Sequence, residues 1–591
     1  MNGMVPGQLH LVNDAQRPLF STPDPSQERV TSLTPLPLLP TPPPSQASSS
    51  PTLSPFAVWD EVENAFPGSC LGDPAYLLFL FHALGGGVPN FLFTRARSPQ
   101  PRWTEHGNKQ PVNAAEAGLD QQLFDILSNQ NRLEQALDRF QKTSANNEIW
   151  TVSLELQMKL SQTLTNQAKE KWAIKALKWI CFTFPRNELW EGSPNYASLV
   201  RSLFPLLDRA LQVVERTGMP HSLREEVSEA LLAASKVGNI RTNALSTAAA
   251  LISDRSPLHL QAEMALQRSI LFRLGGDFNN SERVIHDFCC HCKDPNPGCL
   301  PKFYRQTQAA GLSKRLNALY GLLHRSHLEN LVQCEKYELA MEEIDDWQCA
   351  QPPSPMELSI LPSKTVTSCK VFRSQGFFKN ARESLEMCLK FLDPRDPIRS
   401  QVLCQLADVY DDLRLPEMAD KLLASEIEIG RKKATKTKAF RRFLVSAVDA
   451  SMLQQRYDDA NTVIEELERI FSKLNDLDVS DQLLHVRILV ASARISQIRF
   501  QFREAIRKWE IALRHVYGYK SFEGEGFTYS AIHLSISLAF LEAGEHEEAE
   551  ASFNRGKAIL DRGVRDYWIP TFAMWVGHVL SKLQSMARWA S

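Results

Sequence analysis

The densest group of potential metal ligands in the sequence lies between positions 286 and 299. Thiolate and imidazole groups are good zinc ligands, and four of them within a short span could form a tetrahedral site. Cys289, Cys290 and Cys292 are too closely spaced for the ordinary turn between two zinc-binding cysteines, so the pattern favours thiols that pack as small apolar groups at a helix end. The sequence therefore predicts no metal, and it leaves as weak candidate ligands His286, Cys289, Cys292 and Cys299.

A run of basic residues between positions 431 and 442 is the strongest cluster of charge in the sequence. It could be a nuclear localisation signal or a patch that contacts an acidic partner. The pattern favours a third interpretation, a solvated loop followed by the first turn of a helix. The run is not regularly interleaved with aromatic residues, so it does not predict nucleic-acid binding. Its residues are Arg431, Lys432, Lys433, Lys436, Lys438, Arg441 and Arg442.

Residues that could carry catalysis do not form a recognisable motif. The glycine triplet at 85–87 is not followed by the Lys and the Ser or Thr of a phosphate-binding loop. We find no nucleophile-elbow, zinc-protease or dinucleotide-binding fingerprint. The carboxylates around Glu545 and Glu548 fit a solvated helix start better than an acid–base pair. We therefore do not expect an enzyme, and we predict no cofactor.

Composition and charge narrow the class of protein further. The chain has 591 residues and a formal net charge of −2, so it has no global positive field that would attract nucleic acid or an anionic membrane. The longest apolar run, at 75–84, is about half as long as a membrane span needs. Eleven scattered cysteines and the lack of a basic-then-apolar signal pattern predict reduced thiols in the cytoplasm, with the nucleus as the alternative.

Apart from a tail rich in Pro, Ser and Thr, the chain is patterned for α-helices. Apolar residues recur at helical spacing from Leu119 onwards, and strand signals are nearly absent. The predicted fold class is therefore all-α, an α-solenoid preceded by a disordered tail. The predicted regions are the tail, 1–55; an irregular or short-helix region, 56–118; the helical beginning of the solenoid, 119–260; the repeats, 261–565; and a C-terminal capping helix, 566–591.

A pattern recurs between about residues 262 and 560: a small residue in one helix, a turn with an aromatic residue, and Ala in the next helix. Two antiparallel helices that pack closely need small residues where their backbones approach and a large one to fill the gap. One hairpin cannot cover its own apolar face, so several must stack. The residues predicted to pack the repeats are Phe378, Ala381, Ala407, Tyr410, Ala419, Tyr457, Ala460, Ala493, Phe502, Ala505, Trp509, Phe540, Gly544, Ala549 and Phe553.

These residues resemble the tetratricopeptide repeat (TPR) family, in particular its MalT-like and kinesin-light-chain-like branches. The second-helix alanines fall at 340, 381, 419, 460, 505 and 549, a wider spacing than the family period of ~34 residues. Three copies, at 414–416, 455–457 and 499–502, lack the Gly that the family places in its turn. The resemblance implies a superhelix whose concave face, lined by first helices, binds other proteins. It does not imply a chaperone-tail receptor, because the Asn and Lys or Arg positions of that clamp do not recur.

The function that the sequence favours is a non-enzymatic scaffold or adaptor that holds a peptide or helix of a partner protein in a concave groove. A second hypothesis is a regulatory sensor of a transcriptional or signalling complex, which the MalT-like resemblance allows. A third is an enzyme on a helical scaffold. The sequence names neither the partner nor the oligomeric state.

Overall fold

The computed structural model describes residues 72–590, except for 139, 144–148, 187–195, 215–217, 292–312, 335, 395, 435–436, 475–476, 519–525 and 562–568. The predicted tail at 1–55 lies outside these residues. Helices dominate the described chain, which confirms the all-α class. Within it, no helix is both long enough and apolar enough to span a membrane.

The described chain begins with short helices and short strands. These are α1 (Asp73–Ala83), β1 (Gly87–Pro89), α2 (Asn90–Arg97), β2 (Gln100–Trp103), β3 (Lys109–Val112), α3 (Gln121–Ser128), α4 (Gln130–Leu137), β4 (Gln141–Thr143) and β5 (Ile149–Thr151). Helix α1 is apolar on all sides, and its Leu77, Leu80 and Phe81 are fully buried. A helix that is apolar all round belongs in a core rather than on a surface.

The strands form two small antiparallel sheets. β2 pairs with β3 so that Gln100 lies opposite Val112, and the second sheet has the order β1-β5-β4. The sequence pattern does not predict these strands, because each has only three or four residues and β2 and β3 contain Pro, Gln and charged residues in place of alternating β-branched ones.

A second group of helices covers this region and leads into the repeats. These are α5 (Leu154–Thr163), α6 (Asn166–Thr183), α7 (Tyr196–Val213), α8 (His221–Ala234) and α9 (Arg241–Ala249). Trp172 of α6 stacks on Phe79 of α1, with the ring centroids 4.9 Å apart. The buried side chains from α1 to α9 form one continuous apolar core, so the short strands and the helices fold together.

From residue 258 onwards the chain forms a series of antiparallel helical hairpins. The first helices are α10 (Leu258–Leu274), α12 (Lys314–Gln333), α15 (Leu361–Ser374), α17 (Arg399–Asp412), α19 (Lys438–Leu453), α21 (Val479–Ile498) and α23 (Phe527–Ala543). The second helices are α11 (Phe278–His291), α13 (Tyr337–Glu343), α16 (Phe378–Phe391), α18 (Pro416–Lys432), α20 (Tyr457–Phe471), α22 (Phe502–Gly518) and α24 (His546–Leu560). The short α14 (Pro355–Leu358) precedes α15, and α25 (Phe572–Ala590) ends the described chain.

The same backbone turn joins the two helices of the hairpins. The amide of Leu415 donates to the carbonyl of Tyr410 at 2.8 Å, and equivalent bonds close the other described hairpins. This closure requires one residue with positive φ just after the first helix. The residues in that conformation are Gly276, Gly376, Arg414, Gln455, Phe500 and Gly544.

The copies without Gly therefore keep the left-handed turn with a larger residue in it. Arg414, Gln455 and Phe500 have φ of 60°, 60° and 59°. A left-handed L-residue costs about 1–2 kcal/mol. Packing of the two helices on either side offsets that cost in each of these hairpins.

Small residues lie at the contact between α23 and α24. Ser530 of α23 donates from its hydroxyl to the carbonyl of Gly556 in α24 at 2.6 Å. A Cβ at position 556 would lie 3.0 Å from the carbonyl oxygen of Ser530, which is tighter than an ordinary contact. Each second helix also packs against the first helix of the next hairpin, so the stack is continuous.

Candidate partner-binding surface

Six successive first helices line one cavity inside the stack. The cavity has a volume of about 380 Å³ and takes its walls from α10, α12, α15, α17, α19 and α21. Each of these helices contacts the next in the series, so their inward faces form a continuous curved surface. α10 also contacts α21, and the curve therefore turns back on itself around the cavity.

The deep side of this surface is held together by buried ion pairs. The Arg487 guanidinium of α21 lies 2.9 Å from Asp408 of α17 and 2.6 Å from Asp449 of α19. Ser446 donates a further hydrogen bond to Asp408 at 2.8 Å. Burial alone would raise the pKa of Asp408, but Arg487 and Arg373 hold it below its usual range. A buried charge is tolerated only with partners of this kind.

A second buried pair joins the repeats to the segment before α25. Arg373 of α15 lies 2.8 Å from Asp412, and the amide of Thr571 donates to the same carboxylate at 3.0 Å. Further along, Trp575 donates from its indole N–H to Ser535 of α23 at 2.9 Å. The Arg494 guanidinium lies 5.2 Å from the centre of the Trp575 ring. The start of α25 therefore lies against the inner side of the stack.

One carboxyl group at this depth has no partner within the described residues. Asp411 of α17 is fully buried, and neither of its oxygens accepts or donates a hydrogen bond there. Burial, followed by the charges of Asp449, Asp408 and Asp412, raises its pKa well above the usual value. The Asp411 carboxyl is therefore a group that favours its neutral form.

The side of the cavity formed by α12, α15 and α19 carries an excess of positive charge. Arg325, Lys370 and Arg442 line it, together with Arg273 of α10 and the carboxylate of Glu329. Glu329 lies 3.2 Å from Arg273 and 3.9 Å from Lys370. Burial would raise the pKa of Glu329, but these cations and Arg325 lower it to about 2. Arg373 and Lys438 on the same side have carboxylate partners of their own, so one ionised carboxylate is left for the other four cations.

Comparisons with known proteins gave matches among solved structures and none among protein families or curated sequences. Among solved structures, a signal transduction ATPase with numerous domains and a tetratricopeptide repeat sensor, from Pyrococcus horikoshii, is 10% identical over 87% of this chain and 67% of its own, with a TM-score of 0.43. A Rap protein complexed with competence and sporulation factor is 10% identical over 50% and 76%, with a TM-score of 0.35. BtubC from P. vanneervenii is 14% identical over 40% and 90%, with a TM-score of 0.30.

The observation that decides the architecture is the repeated hairpin, closed by the same left-handed turn and stacked on the next hairpin. The fold is a stack of TPR-like helical hairpins. The three solved structures have identities of 14% or less and TM-scores below 0.5, so this description of the fold rests on the hairpins of the chain itself.

The residues predicted to pack this TPR-like stack fall into three environments. The alanines and Trp509 are buried, and Trp509 also donates from its indole N–H to Gln497 at 2.9 Å. Five aromatic residues are half-buried, three of them at the starts of second helices, and the exposed Gly544 occupies a left-handed turn. Their role in packing stays a prediction. The buried ones are Ala381, Ala407, Tyr410, Ala419, Ala460, Ala493, Ala505, Trp509 and Ala549, and the half-buried ones are Phe378, Tyr457, Phe502, Phe540 and Phe553.

The candidate metal ligands are only partly described. His286 and Cys289 lie on α11, where Cys289 is buried and His286 is half-buried. Cys292 and Cys299 lie outside the described residues. In the part of the chain that the structure describes, no three His, Cys, Asp or Glu side chains are grouped to hold a metal ion.

The basic run is divided between two environments. Arg431 pairs with Glu466 at 2.8 Å on the outer surface, and Lys432 is exposed there. Arg441, in contrast, is buried and pairs with Asp481 at 2.7 Å, and Arg442 lines the cavity. The second half of the run begins helix α19, as the predicted first helical turn requires, but Arg441 is buried there because α19 stacks against α21.

The charged residues on the inner side of the first helices were not predicted, although the sequence carries a signal for four of them, of which Lys370 and Asp408 line the cavity. Lys370, Asp408, Asp449 and Arg494 each lie six positions before the left-handed residue of their hairpin turn. A charged residue at one fixed register of successive first helices predicts a ladder on their shared face. That register becomes readable only once the turn residue of each copy is known.

Proposed function

We propose that this chain is a non-enzymatic scaffold that holds a segment of another protein on the inner surface of its TPR-like stack. The observation that supports the proposal is the cavity of about 380 Å³ walled by six successive first helices. A site of that size and concavity is typical of ligand-binding surfaces, and it is open enough to admit a side chain or a short peptide.

The inner surface is also preorganised. Arg487, Asp408 and Asp449 fix α17, α19 and α21 relative to one another through buried ion pairs. A partner that docks on rigid helices orders few new side chains, so little conformational entropy is lost on binding. Polar groups on the cavity wall, such as Gln401 and Gln333, supply hydrogen-bonding positions for a partner backbone.

The test is affinity capture with the full chain and two matched variants. Gln401→Trp places a bulky ring in the cavity, and Lys379→Trp places the same ring on the exposed side of α16. We expect the native chain and Lys379→Trp to capture the same stoichiometric partner, and Gln401→Trp to lose it. Both variants should match the native far-ultraviolet circular dichroism spectrum.

Two results would contradict the proposal. Absence of any stoichiometric partner of the native chain would argue against a scaffold. Loss of the partner by Lys379→Trp, with binding retained by Gln401→Trp, would move the binding surface to the outer helices.

A further inference from the structure

The cavity contains positive charge that the described protein does not neutralise. Arg325 makes no hydrogen bond and no ion pair with any described residue, and its Nε is buried without a partner. Arg442 donates only to the hydroxyl of Ser480, at 2.7 Å, and pairs with no described carboxylate. Arg273 and Lys370 share the single carboxylate of Glu329. The other cations of the lining, Arg373, Lys438 and Arg487, have carboxylate partners of their own. The remaining four cations therefore have only the carboxylate of Glu329 among them.

The four cations lie close enough to repel one another. The pKa of Lys370 is lowered by burial and by the charges of Arg442, Arg273 and Arg325, against the opposite effect of Glu329. Like charges that are gathered in one partly buried site destabilise the protein unless a counter-charge is bound. On the same wall, Gln405 has a buried Oε1 without a hydrogen-bond partner in the described chain. The cavity thus offers both unneutralised cations and an unused polar group.

The number and type of these cations select among anions. A single carboxylate would leave most of the excess charge in place, whereas a phosphoryl group carries about −1.5 to −2 and three strong acceptor oxygens. Guanidinium groups match phosphate oxygens with paired hydrogen bonds, and a lysine ammonium adds a mobile point charge. The volume of about 380 Å³ holds a compact phosphorylated group without requiring the helices to separate.

We propose that Arg325, Lys370, Arg442 and Arg273 form a binding site for a phosphoryl group. The group is carried either by a phosphorylated side chain of the partner segment, which rests on the proposed function, or by a free phosphorylated small molecule. On the α17 side of the cavity, the Gln405 Oε1 can accept a hydrogen bond from an N–H or O–H of the molecule that carries the phosphoryl group. Glu329 holds Arg273 and Lys370 in place between them.

Isothermal titration calorimetry on the full chain tests the site. The probes are tripolyphosphate, a short phosphoserine peptide and the same peptide with Glu in place of phosphoserine, all at ionic strength near 0.15 M, where exposed charges are screened. We expect one tripolyphosphate per chain. Each of Arg325→Gln, Lys370→Gln and Arg442→Gln should weaken binding about tenfold or more, as loss of a charge-assisted hydrogen bond does. Lys379→Gln, on the exposed side of α16, should bind like the native chain.

The melting temperatures of the cavity variants give a second test. Because each substitution removes a repelling charge, the melting temperature without ligand should stay the same or rise. A cavity variant that melts earlier than Lys379→Gln would contradict the assigned repulsion. Failure of all phosphoryl probes to bind, or equal affinity of cavity and control variants, would overturn the site. Binding of both peptides with equal affinity would overturn it too.

Two further comparisons are decisive. One distinguishes a partner segment from a small molecule as the carrier of the phosphoryl group, and the other distinguishes the phosphoryl site from the scaffold function. Tight binding of the phosphoserine peptide, in competition with tripolyphosphate, assigns the group to a partner segment, and binding of tripolyphosphate alone assigns it to a small molecule. Capture of a partner that survives phosphatase treatment, with no probe bound, would overturn the phosphoryl site and leave the scaffold. Probe binding without any captured partner would overturn the scaffold and leave the phosphoryl site.

Discussion

Arg487 binds Asp408 across an intervening hairpin. Its guanidinium on α21 lies 2.9 Å from the carboxylate on α17, although the two residues are 79 positions apart and α19 lies between their helices in the chain. In a simple solenoid each repeat contacts only its neighbours, and stability is a sum of local terms. This pair couples hairpins that are not neighbours, so we expect the middle of the stack to unfold as one unit.

Removal of Arg487 should be strongly destabilising. Arg487→Met leaves Asp408 and Asp449 buried with too little positive charge, and such a loss typically costs about 3–5 kcal/mol. Denaturant titration of the repeat unfolding transition measures the change. Arg499→Met is the control, because Arg499 pairs with an Asp458 side chain that is 96% exposed, and it should cost under about 1 kcal/mol. Equal losses in the two variants would show that the buried network contributes no more than a surface pair.

Neutralising Asp411 should stabilise the chain at neutral pH. Its pKa is raised in the folded chain, so between the unfolded value of 3.8 and the folded value the native state holds a proton that the unfolded state releases. Stability is therefore lost as pH rises above about 4. Asp411→Asn should raise the melting temperature at pH 7.5 by about 2 °C or more, with little gain at pH 4. Thermal unfolding at pH 7.5 and pH 4 tests this prediction, with Asp458→Asn as the exposed control. An equal gain in melting temperature at the two pH values would contradict it.

His327 should contribute stability that disappears at alkaline pH. Burial would lower its pKa, but the carboxylates of Glu282 and Glu343 raise it to about 9, and Glu343 lies 2.5 Å from the ring. The contribution is fully present below about 6.5 and is lost as pH rises through about 9.

The corresponding measurement is the difference in melting temperature between the native chain and His327→Gln. That difference should be large at pH 6 and much smaller at pH 9.5. His221→Gln, at an imidazole that is 69% exposed, should show little difference at either pH. A His327→Gln effect that does not change with pH would mean that the imidazole is not charged in the folded chain.

The left-handed turn makes Gly544 sensitive to a methyl group even though space is available. A Cβ there would meet no atom within 4 Å, but the φ of 83° disfavours any L-residue. Gly544→Ala should therefore cost about 1 kcal/mol. Gly577→Ala, at an exposed and equally open position inside α25, should instead stabilise by up to about 1 kcal/mol. Denaturant titration of both variants measures the change in the free energy of unfolding. A change of the same sign in the two variants would show that the backbone conformation at Gly544 does not control the effect.

The helical hairpins could be predicted because their signals are local. Ala381 and Leu385 are four positions apart and both become fully buried on α16, as helical periodicity requires. The turns at Arg414, Gln455 and Phe500 could not be assigned a left-handed residue, since nothing in those side chains favours positive φ. There the packing of the flanking helices imposes the conformation on the residue.

The candidate site could not be predicted from the sequence. Lys370 and Arg442 are 72 positions apart and belong to different hairpins, yet they line the same cavity. In the sequence Arg442 belongs to a basic run that is typical of a solvated surface. Only the stacking of α19 against α21 buries Arg441 and brings Arg442 into the cavity.

The sequence by itself determined the local architecture: which segments are helices, where they pair and that the pairs must stack, because each of these follows from apolar spacing within some forty residues. The tertiary structure alone decided which charged side chains meet. The rotation from one hairpin to the next accumulates along the stack, and the contact of α10 with α21 depends on the sum of those rotations. That sum is a property of the whole assembly of helices, and no short stretch of residues encodes it.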